Sequence, residues 1–143
     1  GGTGATTFSP GKVLQVVTGT TDVTVTQTTS YADTGLTASI TPASTSNKIF
    51  VIVTQTIFWS TNGLSIKIMR DTTDLFLQPI NYVVHNTGAS NNRSIYPIQY
   101  LDSPSSTSSL VYKTQCILHS SGTIETQEAN AKSYITLMEI AGW

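Results

Sequence analysis

The sequence predicts an all-β domain, built as a sandwich, a jelly roll or a barrel. Thr, Val, Ile and Tyr dominate from Lys12 onward, and these residue types fit a pleated, half-buried surface. Short runs that contain apolar residues are separated by clusters of Gly, Pro, Asn and Ser. No segment repeats its apolar residues at helical spacing between capping residues. Many short strands at roughly even spacing are typical of these three architectures.

Ten segments in chain order have the composition of strands. They cover residues 12–18, 22–28, 36–41, 48–58, 64–70, 75–79, 95–101, 110–118, 123–128 and 133–140. The longer polar stretches 85–94 and 103–109 are expected to be loops, and Asn62-Gly63 predicts a hairpin turn. Residues 1–11 are small and glycine-rich, which indicates a flexible lead-in or the end of an upstream stalk. Residues 12–143 then form the head domain.

The apolar pattern indicates which strands are covered on both faces. Leu64, Ile66 and Ile68 alternate with other residues, as in a strand with one buried face. Residues 49–53, in contrast, are apolar at every position, and residues 134–140 carry apolar side chains on both faces. One face is covered by the domain's own core. In a chain without a convincing helix, a second subunit is the favoured cover for the other face, and a loop over a central strand is the alternative. The predicted interface consists of Ile49, Val51, Val53, Tyr134, Met138 and Ile140.

The polarity of the chain is mostly uncharged. It contains 25 Thr and 17 Ser among 143 residues, and 10% of its residues are charged, against roughly 25% in an average soluble protein. A net charge of −1 provides no basic surface for nucleic acid. No apolar run approaches the roughly 18 residues that cross a membrane, so we expect no membrane insertion. The single cysteine, Cys116, shares a face with Leu110, Tyr112 and Leu118 and is expected in the core.

Motifs for catalysis are missing from the sequence. It has no nucleophile elbow, metalloprotease, Walker A or dinucleotide signature. Asp71 and Asp74 lie in a predicted turn rather than in a paired-carboxylate arrangement. His85 and His119 lack metal-ligand partners at the usual spacing. We expect no enzyme activity, no cofactor and no metal, although spacing within one chain leaves open a metal on a symmetry axis.

Four stretches, taken together, resemble a known class of proteins. They are GKVLQVV at 11–17, SYADTGLTASITPASTSNKIFVIV at 30–53, YLDSPSSTSSLVYKTQ at 100–115 and SYITLMEIAG at 133–142. Their order and their amino-acid sequences resemble the C-terminal domains of tail-fibre and other virion structural proteins of tailed bacteriophages, marine ones especially. The part of the chain at about 57–98 has no such counterpart, and a binding surface is expected to vary there.

The resemblance implies a homotrimer with a jelly-roll-like β-sandwich fold at the head or tip of a fibre. It also implies an extracellular location on the virion and adsorption to a bacterial surface. The N-terminal end would contact other virion proteins. The opposite end would contact a host receptor, with a surface glycan as the expected class, and no enzymatic step would be involved.

The candidate receptor-binding residues combine aromatic side chains with amide, imidazole and guanidinium groups. Sugars are bound by aromatic rings against their apolar faces and by polar groups at their hydroxyls. The set consists of Phe58, Trp59, Tyr82, His85, Asn86, Asn91, Asn92, Arg93 and Tyr96. The alternative is structural, because Phe58 and Trp59 are of types that often pack into a core or an interface, and the loop at 85–94 can be a plain solvated loop.

Three other functions remain compatible with the sequence. The chain can be a monomeric carbohydrate-binding module, a structural trimerisation or decoration domain that never contacts a receptor, or an enzyme acting on a host polysaccharide. Mass in solution separates the first from a trimeric adhesin, and binding to cells or glycans separates the second.

Overall fold

Two antiparallel sheets pack face to face in the computed structural model, which describes residues 11–60, 63–79, 83, 91–119 and 121–142. The six-stranded sheet contains β1 (Val13–Thr21), β2 (Val25–Thr26), β4 (Lys48–Trp59), β7 (Asn92–Asp102), β9 (Ile124–Thr126) and β10 (Ser133–Ile140). The four-stranded sheet contains β3 (Ala32–Ile40), β5 (Leu64–Arg70), β6 (Thr73–Leu77) and β8 (Leu110–Leu118). Every predicted strand segment overlaps one of these ten strands.

The strands pair as a jelly roll. β5 pairs with β6, β4 with β7, β3 with β8 and β1 with β10, so the four pairs are nested along the chain. The four nested pairs form one long, two-stranded ribbon. This ribbon is folded over so that β10 also pairs with β4, and β8 also pairs with β5. This wrapping places alternate pairs in different sheets and confirms the predicted jelly-roll-like sandwich.

The core lies between the two sheets and follows the alternation of the strands. Leu64, Ile66 and Ile68 are fully buried, as predicted from their spacing. Cys116 is fully buried beside Tyr112, and burial raises the pKa of its thiol to about 12. A thiol in this environment behaves as a small apolar side chain, in agreement with the sequence prediction.

The interface prediction is wrong for the three residues of β4. Ile49, Val51 and Val53 each have 0% exposure because they point into the core of this chain, where no second subunit can reach them. The side chains of β4 that face outward are their neighbours, including Phe50 and Ile52, which are half-buried. A run that is apolar at every position does not indicate which alternate set faces inward.

The structure also corrects three expectations about strand and turn. Ser60 and Gly63 connect strands of different sheets, so this connection is not a hairpin. The second face of β5 is also covered, since Ser65, Lys67 and Met69 are all buried. The predicted loop at 85–94 ends earlier than expected, because β7 begins at Asn92. The loop at 103–109 is present between β7 and β8.

Part of the outer face of the six-stranded sheet has no charged residues. The four-stranded sheet carries ion pairs, Lys113 with Asp33 and Lys67 with Asp74, each with its closest atoms 2.9 Å apart. On the six-stranded sheet, paired positions form three rows without a charged residue. From β1 through β10 and β4 to β7 they are Val16–Met138–Phe50–Leu101, Thr18–Thr136–Ile52–Gln99 and Thr20–Tyr134–Thr54–Pro97. We call these three rows the uncharged face.

The uncharged face carries exposed apolar side chains. Val16 is 53% exposed, Leu101 48% and Tyr134 51%, and Met138 and Ile140 are half-buried on the same side of the sheet. Of the predicted interface residues, Tyr134, Met138 and Ile140 are therefore available to a partner. Their role in an interface stays a prediction.

Within the ranges described above, no helix is long and apolar enough to cross a membrane.

Candidate binding site

The C-terminal half of β4 and the start of β7 bring two of the predicted binding segments together. Phe58 is paired with Arg93, and Trp59 is paired with Asn92. The sequence placed Phe58 at the end of a strand and Arg93 in the loop at 85–94, but the two residues lie side by side on neighbouring strands. Phe58 and Arg93 are on the outer side of the sheet, where the guanidinium carbon lies 5.2 Å from the centre of the ring. This distance is in the range of a cation–π contact.

Arg93 is also fixed by a carboxylate 35 residues further along the chain. Its Nε and Nη2 groups donate to Oε2 and Oε1 of Glu128 at 2.9 and 2.8 Å. The hydrogen bonds and charge of this pair raise the pKa of Arg93 and lower that of Glu128. Both groups are therefore ionised at neutral pH and form a planar bidentate pair.

A depression of about 270 Å³ lies beside this pair on the outer side of the sheet. We call it the Arg93 depression. It is lined by Thr56, Ile57, Arg93, Ser94, Ile95, Glu128 and Ala131. Three of these seven residues are aliphatic, and the ion pair and two hydroxyl side chains supply the polar groups.

Glu128 begins a short 3-10 turn, Glu128–Asn130, with unusual backbone geometry. Gln127, Ala129 and Asn130 have φ values of 55°, 54° and 61°, in the left-handed region. Asn tolerates this region, whereas Ala has no side-chain group that compensates for the steric cost. Strained backbone of this kind is often found at functional sites.

Gln127 anchors the turn in the core and is fully buried. Its Nε2 group donates to the carbonyl oxygens of Val23 and Thr34 at 3.0 and 2.7 Å. Its Oε1 atom accepts hydrogen bonds from Gln55 Nε2 and Ser133 Oγ at 2.5 and 2.8 Å. These hydrogen bonds hold the residue that precedes Glu128, and they stabilise the strained turn.

Replacing Ala129 with glycine should raise the free energy of unfolding by up to about 1 kcal/mol, because glycine adopts the left-handed region without steric cost. Thermal or urea unfolding measures the change. Ala131→Gly is the matched control. Ala131 has an extended backbone with φ of −65°, so glycine there should lower stability. An equal loss in both variants would contradict the strain at Ala129.

The other predicted binding residues lie elsewhere. Trp59 and Tyr96 are half-buried and pack against the core, and burial raises the pKa of Tyr96. Asn91 is exposed just before β7. Tyr82, His85 and Asn86 lie outside the described residues. Among the described residues, no group of three His, Cys, Asp or Glu side chains is arranged to hold a metal ion.

Sequence reasoning missed two residues of the depression that matter chemically. Ile95 is 65% exposed, and the alternation of β7 places it on the same face as Arg93. That alternation could have identified it. No comparable sequence pattern points to Glu128, because its contact with Arg93 depends on the pairing of both β9 and β7 with β4 and on the turn that follows β9.

Comparisons with known proteins give similarity of structure only. No protein-family model and no curated protein matches the chain. Among solved structures, a mutant VP2 protein of infectious bursal disease virus in T=1 particles has a TM-score of 0.37 and 16% identity, covering 96% of this chain and 38% of VP2. The Gt and Gx strain structures of that virus have TM-scores of 0.40 and 0.38, each with 13% identity over 94% of this chain. This chain spans about two fifths of their length, 39% and 40%.

Proposed function

We propose that this chain is a non-enzymatic structural domain of a virion, the trimeric head or tip of a fibre that attaches to a bacterial host. The observation that carries the proposal is the uncharged face of the six-stranded sheet. The outer face of the four-stranded sheet carries the ion pairs Lys113–Asp33 and Lys67–Asp74, whereas the three rows of the uncharged face carry no charged residue. A sheet face with exposed apolar side chains and no charge is instead typical of a surface covered by another chain.

Further copies of this chain are the proposed cover. The predicted interface residues Tyr134 and Met138 belong to the uncharged face, and Ile140 is the next outward-facing residue of β10. The sequence resemblance to phage fibre domains supports a trimer. In such an assembly each site is present three times, so weak contacts gain strength through multivalency.

The two ends of the sandwich suit the two roles of a fibre head. At one end, the backbone N–H of Ala141 donates a hydrogen bond to the carbonyl oxygen of Lys12. The start of β1 and the end of β10 therefore lie side by side. The Arg93 depression lies towards the other end of β4. Phe50 and Phe58 are eight residues apart on this strand, about 26 Å at the usual rise. We propose that the first end joins other virion proteins and that the second end faces the host.

Replacing Met138 with aspartate should reduce the mass in solution from three chains of 15.3 kDa to one. Each trimer would bury three new carboxylates among apolar side chains, which is costly without partners. Light scattering coupled to size exclusion gives the mass. Val23→Asp is the control, because Val23 is 66% exposed and lies outside the uncharged face.

The outcomes separate the alternative functions. A single-chain mass for the unmodified protein would reject the trimer and favour a monomeric carbohydrate-binding module. A trimer unchanged by Met138→Asp would move the interface elsewhere. A trimer that adsorbs to none of a panel of bacteria would favour the structural trimerisation or decoration domain. Release of sugar from a host polysaccharide would contradict the absence of enzyme activity.

A further inference from the structure

The Arg93–Glu128 pair leaves hydrogen-bonding groups that the two residues do not use on each other. A guanidinium has five N–H groups, and Glu128 accepts two of them. Three N–H groups of Arg93 therefore point away from Glu128. Each carboxylate oxygen accepts one of these bonds and retains capacity for another. The rim of the depression thus offers donors and acceptors side by side.

The pair is neutral as a unit, and this restricts the ligand. A free anion would be attracted by Arg93 but repelled by Glu128 at nearly the same distance. A vicinal diol, in contrast, can accept from the guanidinium through one hydroxyl and donate to the carboxylate through the next. The neutral charge therefore favours a polyhydroxylated ligand over a carboxylate or phosphate.

The walls of the depression suit the other side of such a ligand. Ile95, which is 65% exposed, and the exposed Ala131 supply aliphatic surface. The C–H groups of a pyranose ring can pack against these side chains. A volume of about 270 Å³ is below the roughly 300–1,000 Å³ of pockets for drug-sized molecules, so it suits a single sugar unit.

The site is also held rigid before any ligand arrives. Arg93 is held by two hydrogen bonds to Glu128 and by its contact with the Phe58 ring. Glu128 follows the buried Gln127, whose side-chain hydrogen bonds fix the turn. A preorganised site loses less conformational entropy on binding.

We propose that the Arg93 depression binds one neutral hexose unit of a bacterial surface polysaccharide, with adjacent hydroxyls bridging Arg93 and Glu128 and the ring packed on Ile95. The proposed sugar site rests on the proposed host attachment. It specifies the chemical class of the receptor and the residues that bind it.

The test is a titration of the isotope-labelled full chain with methyl glycosides of glucose, galactose and mannose, followed by NMR. Methyl glucuronoside is the anionic comparison. At least one neutral glycoside should shift the Arg93 Nε–H signal and the backbone amide signals of Ile95 and Ala131. Arg93→Gln and Glu128→Gln should each weaken that binding roughly tenfold or more.

Lys113→Gln is the matched control, because it removes one member of the exposed ion pair with Asp33 on the other sheet. It should leave sugar binding unchanged, and thermal unfolding should show that all three variants fold. The proposal is overturned if no neutral glycoside shifts these signals, if only the glucuronoside does, or if both substitutions in the depression leave binding unchanged.

Adsorption of the fluorescently labelled protein to bacteria distinguishes failure of this site from failure of the proposed function. Protein that adsorbs to cells, but whose adsorption is unaffected by Arg93→Gln, remains an adhesin with its receptor site elsewhere. Protein that binds the hexose in the depression but never adsorbs to cells keeps the sugar site and loses the host-attachment role.

Discussion

Replacing Asp102 with asparagine should lower the free energy of unfolding by about 3 kcal/mol, since it leaves a largely buried guanidinium without its counter-ion. Asp102 lies at the end of β7 and is 5% exposed. Its Oδ2 atom accepts hydrogen bonds from Arg70 Nη1 at 2.5 Å and from the Tyr112 hydroxyl at 2.7 Å. Both donors belong to the opposite sheet, so one carboxylate connects the two layers of the sandwich.

The charges of this cluster depend on one another. Burial alone would lower the pKa of Arg70, but its hydrogen bond to Asp102 and the charge of that carboxylate outweigh burial and raise it. Burial raises the pKa of Tyr112, and the hydrogen bond to Asp102 raises it further. Tyr112 therefore stays a neutral donor, and Arg70 is the cation that compensates Asp102 in the cluster.

Urea unfolding measures the loss, with Asp33→Asn as the comparison. Asp33 and Lys113 form an ion pair whose side chains are 55% and 26% exposed, and such surface pairs contribute about 1 kcal/mol or less. Tyr112→Phe should have an intermediate cost of about 1–2 kcal/mol, because it removes one donor and keeps the ion pair. If Asp102→Asn costs no more than Asp33→Asn, the cluster does not hold the sheets together.

Replacing Glu139 with glutamine should cost about 2–3 kcal/mol at neutral pH, because a buried carboxylate that accepts several hydrogen bonds loses its charge. Glu139 is 1% exposed. It accepts hydrogen bonds from Asn47 Nδ2 at 2.5 Å, Gln15 Nε2 at 2.6 Å and the backbone N–H of Ala43 at 2.7 Å. These contacts tie β1 and the connection between β3 and β4 to the last strand.

The cost should depend on pH in a defined direction. Burial alone would raise the pKa of Glu139, but the hydrogen bonds from Asn47, Gln15 and Ala43 outweigh it, and the pKa is lowered below 4.5. A carboxyl group whose pKa is lower in the folded state stabilises the fold above its unfolded pKa. That stabilisation is lost as the pH falls through the folded value.

Unfolding in urea at neutral pH and at several values below pH 4.5 tests this dependence. The difference between the unmodified protein and Glu139→Gln should shrink as the pH falls. Glu125→Gln is the control at neutral pH. Within the part of the chain that the structure describes, the Glu125 carboxylate accepts one long hydrogen bond, from Thr26 at 3.5 Å, so the substitution should change stability little. A difference that stays constant down to strongly acidic pH would contradict the role of the Glu139 charge.

The strands were predictable from sequence because residue type and spacing are local properties. Leu64, Ile66 and Ile68 show their buried face through simple alternation, and Cys116 shares the face of Tyr112 for the same reason. The orientation of β4 was not predictable. Residues 49–53 are apolar throughout, so only the pairing with β10 and β7 decides that Val51 faces inward and Phe50 outward.

The candidate site was predictable in part. The choice of Phe58 and Arg93 rested on their chemistry, and the pairing of β4 with β7 brings them together. Trp59 has similar chemistry, but its neighbouring position on the strand places it against the core. The contribution of Glu128 depends on the left-handed turn after Gln127, and no local pattern in the sequence specifies a turn of that shape.

The position of β10 has a consequence for how the protein is made. β10 is synthesised after the other nine strands described here, yet it lies between β1 and β4 and carries the fully buried Ile135 and Leu137. Until it arrives, β1 has no partner in the six-stranded sheet, and the facing edge of β4 is left open. Unpaired edges of this kind favour association between nascent chains. The six-stranded sheet is therefore completed only after β10 has been synthesised.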